Sequence, residues 1–63
     1  MDDDAFNMAV RKFLKEIGVT SQRELERLVR EHEIPGGKLK VHMTLTAEGT
    51  PLRHVVEAEI ETR

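Results

Sequence analysis

Residues 38–46 read Lys-Leu-Lys-Val-His-Met-Thr-Leu-Thr, with an apolar side chain at every second position. This alternation is typical of a β-strand with one face buried and the other exposed. A second alternating run occupies residues 53–61, after a turn segment that contains Gly49 and Pro51. Together the two runs predict an antiparallel β-hairpin with strands at about 38–46 and 53–61.

The charges of the two runs favour one register for this hairpin. If Leu45 lies opposite His54, the apolar residues of both strands share one side of the sheet. On that side, Val41 would lie opposite Ala58 and Leu39 opposite Ile60. On the other side, the register pairs basic residues with acidic ones: His42 with Glu57, Lys40 with Glu59 and Lys38 with Glu61. Each such cross-strand pair contributes about 0.2–1 kcal/mol.

Upstream of the hairpin the apolar period changes to that of a helix. The spacing predicts an amphipathic helix at about 3–17, with Asp2, Asp3 and Asp4 at its positive N-terminal end and Gly18 as a left-handed residue just after its last turn. Its apolar stripe consists of Phe6, Ala9, Val10, Phe13, Leu14 and Ile17.

A second helix is predicted at about 21–33. Ser21 and Glu24 have the spacing of a capping box, which marks a helix N-terminus. Leu25, Leu28 and Val29 share one face, and the segment 34–37 (Ile-Pro-Gly-Gly) ends the helix. The expected fold class is therefore α+β, in the order ααββ, with both helices packed on the hairpin in a single domain of residues 1–63.

Length and composition favour self-association. A chain of 63 residues is near the lower limit for a stable apolar core, and it has no cysteine for disulfides or thiolate zinc sites. A homodimer through the hairpin edge or the sheet face would cover apolar surface. The acidic start Met1-Asp2-Asp3-Asp4 and the lack of long apolar runs indicate a cytoplasmic protein without a membrane segment.

The residues that could carry catalysis are few, and we predict no enzyme, no cofactor and no metal site. There is no Cys, Tyr or Trp, and Ser21 is already assigned as a helix cap. In the predicted register His42 and His54 lie on opposite faces, so they cannot share a metal ion, and His32 is expected to pack half-buried on the second helix. The predicted function is a non-enzymatic structural or protein-interaction module.

A winged-helix type of nucleic-acid binding is the alternative. Two helices with a turn at Gly18, followed by a hairpin, resemble half of a winged helix, in which Arg23, Arg27 and Arg30 would contact nucleic acid. The net charge of −2 and the glutamates of the hairpin oppose this interpretation, because phosphates repel them. Nucleic acid is therefore the less favoured partner.

Two stretches resemble a known family. They run from Phe6 through Gly18-Val19-Thr20-Ser21 to Glu24, and over residues 43–46 and 54–60. The sequence resembles a family of short bacterial proteins that is described only as a domain of unknown function. The resemblance implies a bacterial cytoplasmic protein of this length, and it implies no activity, cofactor or site residue.

Overall fold

The computed structural model describes residues 2–62, which form two compact units on either side of the junction between His32 and Glu33. The first unit contains one helix, α1 (Asp3–Glu31). The second contains a short turn (Pro35–Gly37) and two strands, β1 (Lys38–Thr46) and β2 (Arg53–Glu61). The α+β class and the order of helix before hairpin are confirmed. The predicted packing of helix on hairpin stays a prediction.

Helix α1 begins where the acidic residues predict it. The side chain of Asp2 accepts hydrogen bonds from the backbone N–H groups of Asp4 (3.1 Å) and Ala5 (3.2 Å). These bonds satisfy two of the donors that a helix N-terminus leaves free. Asp3 and Asp4 add negative charge to the first turn, where the helix dipole favours it.

The prediction of two helices is wrong, because α1 runs without a break through the predicted turn. Gly18 is helical and does not have the positive φ of a left-handed residue. Ser21 lies inside the helix and is half-buried, so it does not act as an N-terminal cap. The hydroxyl of Thr20 donates to the carbonyl of Glu16 (2.8 Å), one turn earlier in the same helix.

The phase of the apolar residues explains the continuous helix. Ile17 and Leu28 are 11 residues apart, which is close to three turns of about 3.6 residues. The two apolar stripes are therefore one stripe, and a break at Gly18 would interrupt it. A glycine in a helix costs only about 1 kcal/mol relative to alanine. A break would also remove backbone hydrogen bonds on both sides of the turn.

The segment after α1 is a turn, as the sequence predicts. The helix ends at Glu31, and His32 is extended, with its N–H donating to the carbonyl of Leu28 (2.9 Å). Gly37 N–H donates to Ile34 C=O (3.0 Å), with Gly36 at φ 74° and ψ −3°. Proline followed by a glycine of positive φ is the pattern of a type II turn. This turn leads the chain directly into β1.

The hairpin has the predicted strands and the predicted register. The strands pair antiparallel, with Leu45 opposite His54, Val41 opposite Ala58 and Leu39 opposite Ile60. In the connection between them, Thr50 N–H donates to Ala47 C=O (3.2 Å), and Gly49 has φ 76°. A side chain with a Cβ rarely adopts this φ, which is why a glycine suits the position.

Candidate interaction surfaces

Both units expose much apolar surface. Among residues 2–62, no hydrophobic side chain is buried. Exposure reaches 53 % for Phe6 and 54 % for Val56. Soluble monomers seldom leave such residues together in large patches, so patches of this kind mark contact surfaces.

The first candidate surface is the helix stripe. We use this name for the apolar side chains along one side of α1, namely Phe6, Val10, Phe13, Leu14, Ile17, Leu25 and Leu28. Val10, Ile17 and Leu25 are half-buried, and the others are exposed. The sequence predicts two separate stripes for these residues, one on each predicted helix. The signal that joins them is the spacing of 11 residues from Ile17 to Leu28.

The second candidate surface is the apolar face of the hairpin. It consists of the four opposed pairs Leu39–Ile60, Val41–Ala58, Met43–Val56 and Leu45–His54. Its β1 residues are half-buried, apart from Met43, whereas every residue of β2 is exposed. Within residues 2–62 the sheet has two strands, and such a sheet is marginal in water without a cover over its apolar face.

The other face of the hairpin is charged in two rows. The basic row of β1 (Lys38, Lys40, His42) lies opposite the acidic row of β2 (Glu61, Glu59, Glu57), as the register predicts. The ion pair that forms is diagonal, since Lys38 Nζ lies 3.8 Å from a carboxylate oxygen of Glu59. Both side chains are about 60 % exposed, so solvent screening weakens this pair.

The third candidate surface is the arginine face of α1, which consists of Arg23, Arg27 and Arg30. In a continuous helix, residues spaced i, i+4 and i+7 lie on one side, and all three are exposed. The guanidinium of Arg27 is bonded to the carboxylate of Glu24. The turn at Gly18, on which the winged-helix interpretation depends, is absent. Contact of these arginines with nucleic acid stays a prediction.

One shallow groove lies along the last turns of α1. It has a volume of about 330 Å³ and is lined by Glu24, Leu25, Arg27, Leu28, Glu31 and His32. Leu28 and His32 are exposed, and the ion pair of Glu24 with Arg27 lies at its edge. Contrary to the sequence prediction, His32 is an exposed residue rather than a half-buried one. The groove is part of the helix surface and does not enclose a ligand.

The polar residues considered for catalysis or metal binding are dispersed. His42 and His54 lie on opposite faces of the hairpin, as the register predicts, and Ser21 lies within α1. Over the described range 2–62, no three His, Asp or Glu side chains are grouped closely enough to hold a metal ion. Within the same range, no helix is long and apolar enough to cross a membrane.

Over residues 2–62, these features define the class as an α+β fold with one long helix, one hairpin and exposed apolar faces. A family model matches residues 1–63, and the chain belongs to that family, described as a family of unknown function (DUF6494). The resemblance to a domain of unknown function is therefore confirmed. No curated protein and no solved structure matches the chain significantly.

Proposed function

We propose that the protein is a non-enzymatic interaction module that works as a self-associated oligomer, with the hairpin edge or sheet face among its contacts. The observation that carries this proposal is the absence of any buried hydrophobic side chain over residues 2–62. Apolar burial is the dominant favourable term in folding. A second copy of the chain would supply the missing cover.

The test is the mass in solution at micromolar concentration, by sedimentation or light scattering. We expect an oligomer whose apparent dissociation constant is in the micromolar range or below. A chain that stays monomeric and folded across this range would contradict the proposal. Adding a fluorescent probe of exposed apolar surface gives a second readout, because assembly should lower its binding.

Binding of nucleic acid through the arginine face is a second candidate function. The observation that favours it is the alignment of Arg23, Arg27 and Arg30 on one side of an uninterrupted helix. Mixed-sequence DNA at low salt is the appropriate probe, because phosphate contacts weaken as salt rises. Binding that is lost on Arg27→Glu would support this function. No binding, or binding that Arg27→Glu leaves intact, would remove it.

A further inference from the structure

The hydrogen bonds of the hairpin determine which residues face outward. Thr62 N–H donates to Gly37 C=O (2.9 Å), and this pair lies one position beyond Lys38 and Glu61 in the register. In an antiparallel ladder, hydrogen-bonded and non-hydrogen-bonded pairs alternate along the strands. The backbone groups that point away from β2 therefore belong to alternate residues of β1, which we call the β1 edge: Lys38, Lys40, His42, Thr44 and Thr46.

The two edges of the sheet differ in charge. The β1 edge has lysines in its first half and threonines in its second half. The β2 edge, which follows by the same alternation, consists of Arg53, Val55, Glu57, Glu59 and Glu61. Three consecutive positions of this edge are acidic, whereas the two lysines of the β1 edge both lie before its midpoint, which is His42. Each strand has nine residues and contains no proline, so each edge is open to pairing.

We propose that the β1 edge pairs antiparallel with the β1 edge of a second copy, with the two-fold axis at His42. This inference rests on the proposed self-association and names its surface. In this arrangement Lys40 lies opposite Thr44 of the second copy, and Lys38 lies opposite Thr46 of the second copy. His42 lies opposite His42 of the second copy at the axis, the lysine half of each edge meets a threonine half, and the strands overlap over their full length.

The same pairing doubles the apolar face. Leu39 lies opposite Leu45 of the second copy, and Val41 lies opposite Met43 of the second copy. These four positions from each chain form the centre of a four-stranded sheet in the order β2, β1, β1, β2. A sheet of four strands with a broad apolar face has the independent stability that a single hairpin lacks.

The other two edge pairings are disfavoured on electrostatic or geometric grounds. Full-length antiparallel pairing of two β2 edges would place Glu57 opposite Glu57 at the centre of the contact, and like charges opposite each other are destabilising. Arg53 would lie opposite Glu61 at each end, so the repulsion is confined to the centre, whereas the β1 pairing places no lysine opposite a lysine. Pairing of β1 with β2 of another copy is complementary in charge. It leaves one free edge at each end, so it produces an open-ended assembly rather than a closed dimer.

Disulfide trapping tests the position of the two-fold axis. The chain has no cysteine, so a single introduced thiol can be cross-linked only to its counterpart in another copy. In the proposed arrangement the two Cα atoms at position 42 are about 5.5 Å apart, within the range that a disulfide spans. Oxidation of His42→Cys should give a covalent dimer. The matched control Glu57→Cys, directly across the hairpin, should not.

Charge substitutions test the register independently. Thr44→Lys places a lysine opposite Lys40 of the second copy and should weaken the dimer about tenfold, since the contact occurs twice. Adding Lys40→Thr should restore most of the affinity, because no like-charged pair then remains across the contact and none is created opposite Glu59 within the hairpin. The control Val55→Lys lies across the hairpin from Thr44 and should leave the dissociation constant unchanged.

The outcomes separate this inference from the proposed function. A dimer that does not cross-link through His42→Cys would overturn the β1 edge as the contact while self-association stands. Cross-linking through Glu57→Cys, or a mass that rises without limit with concentration, would also overturn it. A monomer at all concentrations would overturn the proposed function together with the inference.

Discussion

Helix α1 and the hairpin are stabilised by different kinds of interaction. Each backbone hydrogen bond of α1 closes within four residues, and the side chain of Asp2 caps its first turn. The bonds of the hairpin join residues as far apart as Gly37 and Thr62, in a sheet of two strands. A 29-residue helix is well above the length at which isolated helices are marginal, whereas an isolated hairpin is marginal at any length. The hairpin therefore depends more on a partner than the helix does.

The largest effect should come from an acidic residue on the apolar face of the hairpin. Val41→Asp places a charge at a half-buried position and should cost more than about 2 kcal/mol. We expect the hairpin to unfold and self-association to be lost, while α1 keeps most of its circular dichroism signal. Amide NMR shifts of residues 38–61 give the direct readout.

Thr46→Asp is the control for this substitution. It adds the same charge to the other face of β1, opposite Arg53, so the hairpin should stay folded. If the Val41→Asp variant kept the cross-strand contact between His42 and Glu57, the apolar face would not be the main source of hairpin stability. The hairpin would then depend on a partner little more than the helix does.

The N-terminal cap should have the next largest effect, and it should act on the helix alone. Asp2→Ala removes the acceptor for Asp4 N–H and Ala5 N–H and should lower helix stability by about 1 kcal/mol. Thermal unfolding followed at 222 nm measures the loss, and Asp2→Asn, which keeps an acceptor, should recover most of it. Chemical shifts of the hairpin that moved with Asp2→Ala would show that the helix supports the hairpin.

Gly18→Ala distinguishes one helix from two by the sign of its effect. In the continuous helix, Gly18 has ordinary helical φ and no atom within 4 Å of an added Cβ. Alanine should therefore stabilise α1 by about 1 kcal/mol. If Gly18 were the left-handed residue after a first helix, alanine would destabilise the protein instead. Urea denaturation of the two proteins, side by side, gives the sign.

The difference between helix α1 and the hairpin also explains which features can be predicted from the sequence. The bounds and register of the hairpin follow from alternation and from the pairing of lysines with glutamates, because a shift of one residue would reverse every side chain. The predicted break at Gly18 rests on local signals, a glycine and a capping-box spacing. Those signals are worth about 1 kcal/mol each. The continuous apolar stripe from Ile17 to Leu28 extends over three turns. This longer pattern is what distinguishes one helix from two.

The candidate surfaces also differ in how well the sequence predicts them. The two faces of the hairpin were predictable residue by residue, since period and charge place each side chain. The residues of the arginine face can be predicted from the sequence. The helix that carries them cannot, because the predicted second helix is part of the continuous helix α1. To predict the helix stripe as one surface, one must recognise that the apolar residues before and after Gly18 have the same helical phase.

The smallest effects should come from two exposed ion pairs of the described residues, one in the helix and one in the hairpin. Glu24→Gln removes the helical pair with Arg27, and Glu59→Gln removes the cross-strand pair with Lys38. Each should cost at most about 0.5 kcal/mol, and the difference from the parent should vanish near 1 M salt, where charges are screened within about 3 Å. A loss above about 1 kcal/mol for Glu59→Gln alone would mean that assembly buries the polar face of the hairpin. That result would reveal a contact surface that the pairing of β1 edges does not include, since edge pairing leaves this face of β2 free.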